Sequence, residues 1–178
     1  TGTTFAVNQI DAEPDFICMS KSLSGGVLPL SLTSCTQEIY NTFLGDDLQK
    51  AFLHGHSFTG NPIGCAAAIA SLKLLEKKEC QAAIKNIIKS HKKFANSIRL
   101  FDGIKDIRQS GTILAIELIS NSSGYESSVR QRLYQEFLKQ GVLLRPLGNV
   151  IYILPPYCIQ EKELNKVYKA IKSQLKQI

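Results

Sequence analysis

Apolar and polar positions divide this chain into two textures that meet near Lys78. Before that point the apolar residues come in short runs broken by Gly, Ser, Thr and Pro. Phe16-Ile17-Cys18-Met19, framed by Pro14-Asp15 and by small polar residues, predicts a buried strand. The loosely alternating Val27 to Thr36 predicts the next strand of the same sheet. Gln37 to Leu44 reads as one short helix, with Thr36 as its cap and Glu38 near the positive end of its dipole, closed by the turn Gly45-Asp46-Asp47. His54 to Pro62, HGHSFTGNP, is too rich in Gly, hydroxyl and His for a packed element and predicts a loop. Asn61 and Pro62 then suit the cap and first turn of a helix running through CAAAIASLKLLEKKE, whose alanines allow close approach of backbone and whose N-terminus suits a phosphate.

Beyond Lys78 the apolar residues recur at regular spacing among lysines. Ala83, Ile84, Ile87, Ile88, Phe94, Ala95 and Ile98 mark the core face of a helix over residues 80–98. Ile104 to Arg108 and Thr112 to Ile119 read as strands split by Ser110-Gly111, and Asn121 to Gly124 as a loop. Ser127 to Gln140 reads as a helix ended by Gly141. VLLRP and VIYILPP then form a hairpin about Leu147-Gly148-Asn149, which puts Arg145 just before the turn and Tyr152 just after it. Gln160 to Gln177 predicts an amphipathic helix with Leu164, Val167, Ile171 and Leu175 on one side. This order predicts an α/β part over residues 1–77, including a linking helix, and a small α+β domain over residues 78–178.

Composition narrows the function classes. With 178 residues, 44% of them apolar, the chain can bury a core. It holds no apolar run near the roughly 20 residues that cross a bilayer, and no basic region followed by an apolar leader, which predicts a soluble, cytoplasmic protein without membrane contact. Cys18, Cys35, Cys65, Cys80 and Cys158 are scattered, with no metal-ligand spacing, so they read as small buried residues in a reducing compartment and no metal is expected. A net charge of +6 invites a nucleic-acid partner, but the lysines are spread along helices and read as solvated faces.

Lys21 is the first candidate for chemistry. It stands at the mouth of the predicted buried strand, where enclosure would disfavour the charged form of an amine and make it a nucleophile toward an aldehyde such as that of pyridoxal phosphate. Gly25-Gly26 would let the backbone pass close to a bulky cofactor. A lysine capping a strand end in solvent is the plain alternative. His54 and His56 read as hydrogen-bonded structural residues of their loop.

D-x-x-C-x-S-K-S-L-S-G-G over Asp15 to Gly26, followed by H-G-H-S-F-T-G-N-P from His54, resembles the fold-type I, class III pyridoxal-phosphate aminotransferases. The resemblance runs through nearly the whole chain but covers only the last part of such an enzyme, so a truncated N-terminus is expected. Residues 1–77 would be the end of the large cofactor domain and residues 78–178 the small C-terminal domain. The resemblance makes Lys21 the catalytic residue and cofactor anchor, and sends the Ser57 hydroxyl, in a place more often held by threonine, to the cofactor phosphate of the other subunit of a homodimer with shared active sites. Gly55, Arg145 and Tyr152 would bind substrate, with the Arg145 guanidinium gripping a carboxylate through two parallel hydrogen bonds. Tyr152 would pack its face on an apolar chain or an adenosyl group.

Arg145 to Tyr157, RPLGNVIYILPPY, resembles the branch of that family that moves the amino group of S-adenosyl-L-methionine to 8-amino-7-oxononanoate, giving 7,8-diaminononanoate in biotin biosynthesis. In the resembled enzymes, a carboxylate for the pyridine nitrogen and a Gly/Ser-rich phosphate loop precede the point where this chain begins. The chain by itself is therefore expected to be inactive. The rival expectations are a class III aminotransferase using an ω-amino acid or ornithine-like donor, and a noncatalytic dimerisation or binding module.

Overall fold

A computed structural model describes residues 1–120 and 128–177. The loop expected over residues 121–124 and the helix start expected at Ser127 lie outside them. The chain forms two compact units, Thr4–Lys77 and Thr1–Thr3 together with the chain from Lys78 onward.

The first unit holds β1 (Phe16–Met19), β2 (Leu32–Cys35), α1 (Gln37–Thr42) and α2 (Pro62–Glu76), with single 3-10 turns at Ala6–Gln9, Lys21–Ser24 and Leu48–Lys50. Strands β1 and β2 pair antiparallel, Phe16 opposite Cys35 and Met19 opposite Leu32. The expected burial of β1 is not met, since Phe16 is 57% exposed. A ribbon of only two strands covers little of either of its faces. Strand β2 is also shorter than the alternation predicts. Pro29 has no N–H for a ladder, and the carbonyls of Leu28 and Leu30 already accept hydrogen bonds from the Ser24 and Ser20 hydroxyls. Helix α1 begins as expected, with Thr36 Oγ1 accepting the Ile39 N–H.

The second unit holds α3 (Lys78–Ile98), β3 (Ile104–Ser110), β4 (Ile113–Leu118), α4 (Ser128–Lys139), β5 (Val150–Ile153) and α5 (Glu161–Leu175). Its sheet runs in the order β3-β4-β5, all antiparallel. Strand β4 alternates, with Leu114, Ile116 and Leu118 buried and Ile113, Ala115 and Glu117 half-buried on the opposite face. Ile151 and Ile153 of β5 extend the buried side, where they join Phe94 and Ile98 of α3, Leu133 and Phe137 of α4, and Leu164, Ile171 and Leu175 of α5 in one core. Helix α4 closes at Gly141, at φ +66°, and the Val142 N–H reaches back to the Phe137 carbonyl at 2.9 Å.

The expected first arm of the hairpin does not become a strand. Val142 to Gly148 alternates between buried and exposed positions, but only Leu147 bridges Val150, each N–H reaching the other's carbonyl at 2.8 and 2.9 Å around Gly148-Asn149. Pro146 offers no N–H, and its carbonyl accepts from Arg130 Nε at 3.2 Å, so this stretch is held by side chain rather than by ladder.

Candidate active site

Lys21 opens the 3-10 turn that follows β1, and its backbone lies in the left-handed region at φ +43°. It is the one non-glycine residue with positive φ among those described. A branched or long side chain rarely adopts that conformation without surrounding bonds to hold it. Those bonds are present. Ser20 Oγ donates to the Leu30 carbonyl, buried Ser24 donates to the Leu28 carbonyl, and Ser71 Oγ of α2 donates to the Ser22 carbonyl at 3.2 Å. Gly25 and Gly26, at φ +64° and +81°, then turn the chain away.

The loop before α2 is fixed by its own polar groups. Thr59 Oγ1 accepts the His56 N–H at 3.0 Å, and His56 Nδ1 accepts the Phe58 N–H at 3.2 Å, which leaves the proton of the neutral ring on Nε2. Asn61 Oδ1 accepts from the N–H groups of Ile63 and Gly64 at 2.9 and 3.4 Å, so Asn61 caps α2 as expected and occupies two of the donors of its N-terminus.

Lys21 and this loop line one cleft of about 850 Å³, together with Ser20, Gly26, Ser31, His56, Thr59, Asn61 and Gly64. Leu28, Pro29, Leu30 and Phe58 complete its lining, so a few hydroxyls and one amine stand among apolar walls, the usual make-up of a small-molecule cleft. A Cβ at Gly26 or Gly60 would point into open space. The expected enclosure of Lys21 is not met, because the ribbon and the single helix α2 wall the cleft only in part and leave the lysine exposed. Ser57 is exposed at the apex of the loop and does not line the cleft. A Cβ at Gly55 would meet Thr59 Oγ1 at 3.8 Å, an ordinary contact, so packing within this chain leaves room for a side chain there.

Arg145 and Tyr152 belong to the second unit. Arg145 is exposed on the extended Val142–Gly148 stretch and forms no ion pair among the described residues. Tyr152 is half-buried on the open face of the sheet, opposite Ala115, which in turn pairs with Arg108. Arg108 is engaged by Asp106 and Glu117 at 2.6 and 2.8 Å, and these bonds raise its pKa.

Two groups of residues escaped the sequence reading. Ser20, Ser24, Ser71 and Thr59 hold the lysine turn and the loop through bonds to backbone groups, which the sequence pattern did not mark. His91 is fully buried in the second unit, at the helical spacing of Ile84, Ile87, Phe94 and Ile98. Its Nε2–H donates to the Thr112 carbonyl at 3.1 Å and its Nδ1 accepts the Tyr168 hydroxyl at 2.7 Å. Burial holds its pKa below the ordinary histidine value, against the opposing effect of the Thr112 bond.

The chain is 43% identical to the adenosylmethionine-8-amino-7-oxononanoate aminotransferase of Synechococcus elongatus, over all of this chain and 42% of that protein. It is 39% identical to the enzyme of that name from Geobacter sulfurreducens, over 93% of this chain and 38% of that protein. The crystal structure of adenosylmethionine-8-amino-7-oxononanoate aminotransferase from Methanocaldococcus jannaschii superposes with a TM-score of 0.79 at 37% identity, covering 90% of this chain and 39% of that one. The chain thus spans about two fifths of the length of the curated relatives it matches, and its fold is a portion of a fold-type I pyridoxal-phosphate aminotransferase. The class III aminotransferase family model matches residues 1–175, and the chain belongs to that family, whose members depend on pyridoxal phosphate.

Proposed function

We propose that the protein carrying this chain transfers the amino group of S-adenosyl-L-methionine to 8-amino-7-oxononanoate. The observation that carries this reading is the placement of Lys21, with its left-handed backbone, in one cleft with the His56–Asn61 loop. The names of the relatives supply the substrates.

In this reading Lys21 would hold pyridoxal phosphate through its side-chain amine. Its amine would also accept and return the proton at the amine-bearing carbon of the substrate. Pyridoxal phosphate, when bound, supplies the electron sink for that proton transfer. Arg145 orients the substrate by its carboxylate, and Tyr152 packs on the apolar or adenosyl portion. Ser57, at the exposed apex of its loop, reaches the phosphate in the partner subunit, and Gly55 leaves room there for cofactor and substrate. Residues 1–77 act as part of the cofactor domain and residues 78–178 as the small domain of a cytoplasmic homodimer. Exposed apolar residues such as Phe52, Leu53 and Phe58 in the first unit support a covered position for it in such an assembly.

The test is Lys21→Ala in the full-length protein, assayed with S-adenosyl-L-methionine and with simple ω-amines as donors. Loss of turnover and of covalent cofactor attachment is expected. Normal transamination by the variant removes Lys21 from the chemistry, and activity of the wild type with ω-amines alone replaces the donor.

A further inference from the structure

Three serine hydroxyls hold the turn that carries Lys21, and they differ in reach. Ser20 and Ser24 bond to Leu30 and Leu28, a few residues along the same excursion between β1 and β2. Ser71 comes from another element. It lies on the less exposed face of α2 with Gly64, Ala67, Ala68 and Leu75, and its Oγ donates to the carbonyl of Ser22, next to the lysine and 49 positions away in sequence. The same carbonyl accepts the Gly25 N–H at 3.1 Å. A Cβ at Gly25 would sit 3.5 Å from Ser71 Oγ, so the hydroxyl packs directly on the turn.

Helix α2 also carries the far wall of the cleft. Its cap Asn61 and its buried Gly64 line that cleft with Lys21, and a Cβ at Gly64 would meet Leu30 at 3.4 Å. Gly64 and Ser71 are two helical turns apart on one face. The Ser71 bond therefore adds a directed hydrogen bond to the packing of the lysine turn on the helix whose other end presents the His56–Asn61 loop.

We propose that Ser71 is a positioning residue for Lys21, which sets the reach and direction of the amine by tying its left-handed turn to α2. This rests on the reading of Lys21 as the cofactor-bearing lysine. Without the bond, the strained residue keeps its local partners and the packing of its turn on α2 but loses the directed tie between them, and the turn can relax toward an ordinary backbone region.

The experiment follows attachment of pyridoxal phosphate to the full-length protein. The Lys21 amine joins the aldehyde carbon with loss of water, borohydride supplies the hydride that makes the bond permanent, and peptide mass spectrometry locates it. Ser71→Ala is expected to slow attachment at Lys21 roughly fivefold to tenfold, the scale of one lost neutral hydrogen bond, and to displace its pH profile. Ser71→Thr, which retains the hydroxyl, should restore both, and Ser71→Cys, which keeps the volume with a weaker donor, should fall between. Denaturation midpoints measured alongside separate positioning from unfolding. Wild-type rate and pH profile in Ser71→Ala, or failure of Ser71→Thr to rescue a folded protein, overturns the proposal. Wild-type protein labelled at lysines other than Lys21 instead overturns the reading beneath it.

Discussion

Tyr168 donates its hydroxyl to Nδ1 of His91 across 2.7 Å in the interior of the second unit, joining α5 to α3. Both side chains are buried, and the Tyr168 ring also stacks on Phe94 with centroids 4.2 Å apart. Tyr168→Phe keeps the ring and removes the donor, which leaves an imidazole nitrogen buried without its bond. A loss of about 1–3 kcal/mol is expected, read as a lower denaturant midpoint at unchanged slope.

The same pair makes stability depend on pH at both ends. The folded pKa of His91 lies below its unfolded value of 6.5, so its contribution is present above that value and is lost as pH falls toward the folded pKa. Burial raises the Tyr168 pKa above its usual 10.0, so its contribution is present below that value and is lost as pH rises through the alkaline range. Unfolding by urea at pH 5, 7.5 and 10.5 checks both signs. His91→Phe should flatten the acid side.

Thr112 predicts the opposite sign of change. Its carbonyl serves His91, but its buried hydroxyl has no hydrogen-bond partner among the described residues. Thr112→Val keeps the branched shape and leaves the carbonyl in place. It is expected to be neutral or to stabilise by about 1 kcal/mol, measured by thermal or urea unfolding.

Arg145→Lys exchanges a planar fork for a point charge on an exposed stretch where the arginine forms no ion pair among the described residues. Under the proposed function the KM of the carboxylate-bearing substrate should rise roughly tenfold or more with little change in stability. Steady-state kinetics with the full-length protein decide it. An unchanged KM for both substrates takes Arg145 out of the site.

Legibility differed between the two units for a physical reason. In the second unit burial is local to the chain, so the alternation of Ile113 to Leu118 and the helical spacing of Ile84 to Ile98 marked the core faces directly. His91 was missed because a histidine on an apolar face gives no sign of its partners, which lie 21 and 77 positions away. In the first unit the apolar run Phe16 to Met19 located β1, but not how exposed this chain leaves it. The extent of β2 was misread because Pro29 and two serine hydroxyls take the backbone groups a ladder would need. The Asn61 cap was legible, since it is local in sequence. The Ser71 bond was not, because a serine among alanines on a helix reads like any small residue.

Among the described residues, every buried hydrophobic side chain lies between Ile84 and Leu175 and none within Thr4–Lys77, where Leu53 is 84% exposed. Mutational tolerance should therefore invert between the two halves under the proposed assembly. Polar replacements of Phe52, Leu53 or Phe58, harmless by the accessibility of this chain taken singly, would behave as lesions at a contact. The vocabulary of surface and interior, secure for α3 and the β4 strand, is conditional on company for the half that carries the lysine.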